Sequence, residues 1–117
     1  MNVLLLEDDR NLQRATTRLI RYTYPNAAIS VTDTCAKTIA LLQHERFDLV
    51  VSDFEVLDGT GDAVLYWVRE MQPHLVARFV FFSGSSGLEK LHDKVIEKGC
   101  TVDEFVNQLR GFIGGAQ

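Results

Sequence analysis

The first apolar stretch, Val3-Leu4-Leu5-Leu6, is continuous and stops abruptly at Glu7-Asp8-Asp9. An unbroken apolar run is what a strand covered on both faces requires. Leu12, Ala15, Leu19 and Ile20 then recur at helical spacing, with Arg10, Arg14, Arg18 and Arg21 on other faces. Asp9 or Asn11 can cap that helix, and Pro25-Asn26 breaks it. Ile29-Ser30-Val31-Thr32 alternates like an edge strand. Asp33 or Thr34 caps a second helix running to about Arg46, with Cys35, Ala36, Ile39, Ala40 and Leu42 as its inward stripe.

The same rhythm repeats. Phe47 to Ser52 predicts a third strand ending at Asp53. A turn-rich stretch, Asp58-Gly59-Thr60-Gly61, leads into a third helix opened by Asp62, carrying Val64, Leu65, Trp67, Val68 and Met71, and closed by Pro73. Arg78 to Phe82 is a fourth, strongly apolar strand running into Ser83-Gly84-Ser85-Ser86-Gly87. Lys94 to Glu97 is a weak fifth strand ending at Lys98-Gly99. Thr101 and Glu104 have capping-box spacing and start a last helix buried through Phe105, Val106, Leu109 and Phe112. Strands alternating with helices mean parallel βαβ units with right-handed crossovers. The expected architecture is α/β: a flavodoxin-like, doubly wound, five-stranded parallel sheet of order 2-1-3-4-5. The segment between Phe82 and Val95 is short and glycine-rich, so the fourth helix is expected to be shortened or absent, at most a stub over Leu88 to Asp93.

Composition narrows the function classes. The 117 residues, 46% apolar and 24% charged, suit one folded domain, expected over residues 1–113 with a flexible tail at 114–117. The net charge is −4, and no basic block or stripe stands out along the chain, which argues against direct nucleic-acid binding. The longest apolar run, Ala63 to Val68, is far too short for a membrane span, and the N-terminus lacks signal-peptide character. Cys35 and Cys100 form no metal-type pair and fit reduced thiols, so the expected location is cytoplasmic.

Chemistry collects at one sheet edge. In this topology ligands sit outside the carboxyl ends of the strands, where strands one and three diverge. Glu7-Asp8-Asp9 leave strand one there, Asp53 leaves strand three, Ser83 strand four and Lys98 strand five. Converging carboxylates repel unless a cation compensates. Oxygen-only ligands suit Mg²⁺, and the scarcity of His and Cys at those ends disfavours zinc. A carboxylate in such a place can be a nucleophile forming an aspartyl phosphate, with Lys98 and Ser83 facing the phosphoryl oxygens. Taken singly, the features have blander readings: the acids could serve a helix dipole, Lys98 could be a solvated lysine, and Ser83 and Asp58 could serve turns. His44, His74 and His92 read as isolated and exposed, and Trp67 as core.

Val3–Asp8, Phe47–Asp53, Phe79–Gly84 and Lys98, in that order and each at a strand end, resemble the signature of the receiver domain of two-component response regulators (CheY-like). The resemblance covers nearly the whole chain. It implies that Asp53 is the phosphoacceptor, that Glu7 and Asp8 hold Mg²⁺ with Asp8 the more direct ligand, and that the Glu55 backbone carbonyl is the third protein ligand. Ser83 matches the hydroxyl residue that reorients on phosphorylation, and Lys98 the active-site lysine. The implied partners are a sensor histidine kinase or histidine phosphotransfer protein, and a downstream protein target or fused output domain. A homodimer is a further expectation; a membrane partner is not.

The chain departs from that pattern in four places. Val56-Leu57 replace the usual Met-Pro, with Gly61 keeping the loop length. Gly99 replaces the proline after the lysine, and Val95 the aromatic switch residue. The fourth crossover is short. The last two lie on the face through which many receivers signal, so an atypical output face is expected. Two alternatives compete: a phosphorylation-independent pseudo-receiver used for docking or dimerisation, and a small haloacid-dehalogenase-type phosphatase with Glu55 as its acid.

Overall fold

Leu4, Leu5 and Leu6 lie at the centre of a parallel sheet and are essentially inaccessible to water, which is why their run contains no polar residue. In the computed structural model, which describes residues 1–114, β1 (Asn2–Leu6) pairs with β2 (Ala28–Thr32) on one side and β3 (Leu49–Ser52) on the other. β6 (Phe79–Ser83) joins β3, and β7 (Val95–Glu97) joins β6, all in parallel. The order is β2-β1-β3-β6-β7, which is 2-1-3-4-5 when only the sheet strands are counted, the flavodoxin-like arrangement. A separate antiparallel hairpin, β4 (Glu55–Val56) and β5 (Gly59–Thr60), interrupts the crossover after β3.

Each strand sends alternate side chains to opposite faces. Leu4, Leu6, Val50, Phe79 and Phe81 pack under α2 (Cys35–His44) and α3 (Gly61–Met71). Val3, Leu5, Leu49, Val51, Val80 and Phe82 pack under α1 (Arg10–Thr23) and α4 (Val102–Ile113), where Phe105 meets Phe82 edge-on at 5.0 Å. Each such fully buried Leu or Phe contributes about 2 kcal/mol. The caps follow the sequence: Asp9 accepts from Leu12 N at 3.0 Å, Thr34 from Lys37 N at 3.1 Å, and Thr101 and Glu104 form a reciprocal box.

The fourth helix is reduced to one 3-10 turn over Leu88–Lys90, with Gly87 in the left-handed region at φ 79°. The flexible tail expected over 114–117 falls mostly outside the described residues. Gly114 itself closes α4, bonding Arg110 O through its amide and accepting from the Tyr24 hydroxyl at 2.7 Å.

Several expected details are corrected. Leu12 and Ala15 are exposed on α1, whose inward face is Thr16, Ile20 and Thr23. The hydroxyl of Thr23 bonds back to Leu19 O, so the residue packs much as valine would. On α2, Ala36 and Ala40 point outward, and Thr38 is buried instead, bonded to Thr34 O and Thr32 Oγ1. Met71 ends α3 and is 64% exposed, because the chain turns there into a 3-10 segment, Pro73–Arg78. α3 starts at Gly61, one residue before Asp62, and the third strand starts at Leu49, not Phe47. Arg10, Arg14, Arg18 and Arg21 are all exposed. At 3.6 residues per turn they fall within an arc of about 80°. They therefore form the basic stripe that linear inspection missed.

Candidate functional site

Three of the expected site residues are placed by the sheet ladder itself. Each is the next hydrogen-bonded rung after a strand ends. Glu7 N donates to Thr32 O at 3.0 Å, Asp53 N to Leu6 O at 2.8 Å, and Lys98 N to Ser83 O at 3.0 Å. Parallel register thus delivers an acid from beyond β1, an acid from beyond β3 and an amine from beyond β7 to one edge. No loop has to find its place independently.

The side chains then meet. Lys98 Nζ donates to Glu7 Oε1 at 2.7 Å and to Asp53 Oδ2 at 2.9 Å. Asp53 Oδ1 accepts from Phe54 N at 2.7 Å, and Glu7 Oε2 from Asp9 N at 3.1 Å. Gln13 Nε2 ties the Glu7 carbonyl at 2.6 Å, anchoring the acidic turn to α1. Burial pushes the Glu7 carboxyl above its usual range, only partly opposed by its hydrogen bonds to Lys98 and the Asp9 amide. Burial alone would lower the Lys98 ammonium; its hydrogen bonds to Glu7 and Asp53 outweigh that and hold it above the ordinary lysine value. Lys98 is accordingly a fixed positive charge.

Glu7, Asp8 and Asp53 each offer a carboxylate oxygen, all within 4.8 Å of one another. With all three ionised, the one ammonium leaves two negative charges uncompensated. The donors are all oxygen, the set that suits a hard divalent cation such as Mg²⁺. These residues fit the metal that the receiver resemblance implies.

An open cleft of about 530 Å³ borders the cluster at Asp53 and is lined by Asp53, Glu55, Ser83, Gly84, Ser85, Ser86 and Lys98. Ser83 is buried, and its hydroxyl accepts from Ser85 N at 3.1 Å. Glu55 begins the β4–β5 hairpin at the cleft wall. Gly61 closes that loop: a Cβ there would stand 2.7 Å from the Asp53 carbonyl and 2.8 Å from Ser52 Oγ. All six expected site residues therefore border this one edge.

Two side chains near the site are placed otherwise than the sequence suggests. Asp58, read as a turn residue, also reaches α2 and accepts from Cys35 N and Ala36 N. His92, read as exposed, is largely covered; its ring lies 4.6 Å from that of Phe81 and its Nε2 2.8 Å from Asp62 Oδ1. It covers sheet surface that a full fourth helix would otherwise shield. The short crossover was a signal that something else must fill that place.

Comparison with solved structures agrees with this topology. The receiver domain of HemR from Leptospira biflexa superposes with a TM-score of 0.82 at 24% identity, over 99% of this chain and 96% of that one. A CheY-like receiver domain protein from Methanospirillum hungatei gives 0.81 at 17% identity, over 96% and 92%. The chain has the receiver-domain fold. The response regulator TrrA from Thermotoga maritima, solved in complex with Mg²⁺-BeF, gives 0.80 at 15% identity, over 95% and 97%. No family model and no curated protein sequence matches the chain. The receiver fold therefore persists here with little sequence in common. Among the described residues no helix is long and apolar enough to cross a membrane.

Proposed function

We propose that this chain is a phosphoacceptor receiver domain of a two-component phosphorelay. Asp53 accepts a phosphoryl group from the phosphohistidine of a sensor histidine kinase or histidine phosphotransfer protein. The observation that carries this reading is the Asp53 carboxylate itself: at the cleft wall, its Oδ2 2.9 Å from the Lys98 ammonium and its oxygens grouped with those of Glu7 and Asp8.

The chemistry follows from that placement. An Asp53 oxygen attacks phosphorus, the P–N bond breaks with its electron pair passing to the imidazole, and an acyl phosphate forms. Lys98 stabilises charge on the transferring oxygens, and in the phosphorylated form exchanges its hold on the carboxylate for one on the phosphoryl group. Bound Mg²⁺ would be held by Glu7, Asp8, Asp53 and the Glu55 carbonyl, and would supply further charge neutralisation. Ser83 donates its hydroxyl to a phosphoryl oxygen, giving up its present bond from Ser85 N. The loop from Ser83 to Asp93 is thereby drawn toward Asp53, which shifts its population between two states.

The product is a switch, not a released metabolite, and the protein is not a turnover enzyme. Its output goes to a downstream protein target or a fused output domain in the cytoplasm. Val95 carries no ring to rotate. The change is therefore expressed in the Ser83–Asp93 loop, an atypical output face. Phosphotransfer profiling against a panel of autophosphorylated histidine kinases tests the reading. Rapid label transfer from one kinase to the wild type and not to Asp53→Asn is expected; transfer that persists in Asp53→Asn would sink it.

A further inference from the structure

We propose that Asp58 is a positioning residue for the metal site: its carboxylate pins the tip of the β4–β5 hairpin to the first turn of α2 and so fixes the segment bearing the Glu55 carbonyl. The inference rests on the receiver reading of Glu55 and Mg²⁺.

Asp58 Oδ1 accepts from Cys35 N at 2.7 Å and Oδ2 from Ala36 N at 3.1 Å. These amides belong to the first turn of α2, whose N–H groups have no partner within the helix. Thr34 serves a different amide in that turn, Lys37 N, from within its own helix. The cap from Asp58 is long-range, arriving from the hairpin that follows β3 in the chain. A carboxylate there is favoured twice, by charge-assisted hydrogen bonds and by the helix dipole. The two backbone bonds hold the Asp58 carboxyl below its ordinary value.

The hairpin needs this tether. Its ladder has only two residue pairs, Glu55 with Thr60 and Val56 with Gly59. So short a ladder is not stable by itself. Its base is held by Gly61 N donating to Phe54 O at 2.6 Å and by the Cys35 thiol donating to Thr60 O at 3.2 Å. Val56 makes partial apolar contact with the core, but Leu57 at the tip is 72% exposed. Leu57 also stands where the receiver pattern has proline, so no ring fixes φ there. Among the described residues, Asp58 makes the only side-chain hydrogen bonds at the tip. When they are lost, the Glu55 carbonyl samples positions off the site, and ordering it on binding costs affinity.

Calorimetric titration of the unphosphorylated full chain with MgCl₂ tests this, with thermal melts of the same samples. Asp58→Ala weakens Mg²⁺ binding about ten-fold, the low end for groups that orient metal ligands. Asp58→Asn, which keeps one acceptor and the fold, falls between Asp58→Ala and wild type. Thr34→Ala removes the other cap from the same helix end; it lowers the melting temperature but leaves the Mg²⁺ affinity unchanged. Wild-type binding with the same affinity in both Asp58 variants overturns the inference alone. Equal weakening by Thr34→Ala also overturns it, because α2 stability would then be the cause. An absence of Mg²⁺ binding in the wild type overturns the receiver reading of the metal site and this inference with it.

Discussion

The Lys98 ammonium lies 2.9 Å from the Asp53 carboxylate, and that contact spans the sheet edge from β7 to β3 across β6. It brings together residues 45 positions apart in the chain. The same nitrogen also holds Glu7, whose side chain is only 3% exposed. Two acids that would repel each other are bridged by one cation.

Removing that cation exposes the repulsion. Lys98→Met in metal-free buffer at neutral pH costs about 2 kcal/mol, less than for a fully buried pair because the lysine keeps some solvent contact. Added Mg²⁺ recovers part of the loss by linkage. Urea unfolding with and without Mg²⁺ measures both effects. A variant as stable as the wild type in metal-free buffer would show that the bridge contributes nothing.

Gly61 tests the loop behind Asp53. A methyl group there meets backbone oxygen, the Ser52 hydroxyl and the Phe81 ring, all inside 3 Å. None of these is the free end of a flexible side chain. Gly61→Ala therefore destabilises by about 2 kcal/mol or more. It should also slow phosphorylation of Asp53, whose own carbonyl must move. Gly111→Ala is the control, because a Cβ at that position meets nothing within 4 Å. Equal melting temperatures for the two variants would contradict the packing argument.

Acid should loosen the hairpin tether and the start of α4 together. Asp58 lies below its ordinary value of 3.8 because of the Cys35 and Ala36 amides, and Glu104 below 4.5 because of the Thr101 amide. For both groups the folded state binds fewer protons than the unfolded chain. Their contribution is complete above those ordinary values and is lost as pH falls through the lower folded-state values. Amide exchange at Cys35, Ala36 and Thr101 should accelerate on acidification below about pH 4, beyond the intrinsic pH effect. The same acceleration in Asp58→Asn at Cys35 and Ala36 would show that Asp58 is not its source.

Much of this was readable from the chain because the strands are covered on both faces. Full coverage forces uninterrupted apolar runs, so the polar residues at or just past their ends mark the carboxyl edge of the sheet, where Glu7, Asp53, Ser83 and Lys98 lie. Helix faces were less legible. Threonine can be buried when its hydroxyl bonds the preceding turn, as Thr23 and Thr38 do, so apolarity alone misassigned Leu12, Ala15, Ala36 and Ala40. The reach of Asp58 to α2 and the packing of His92 on Phe81 were not legible at all. Both depend on where loops fold back in space, and no periodicity encodes that.

The central claim is that Asp53 is a phosphoryl acceptor. Its most direct test is the intact mass of the protein after incubation with a small acyl phosphate and Mg²⁺. The account predicts one added phosphoryl group on the wild type, removed by hydroxylamine, and none on Asp53→Asn. An unchanged wild-type mass, or a phosphoryl group that persists in Asp53→Asn, would contradict it.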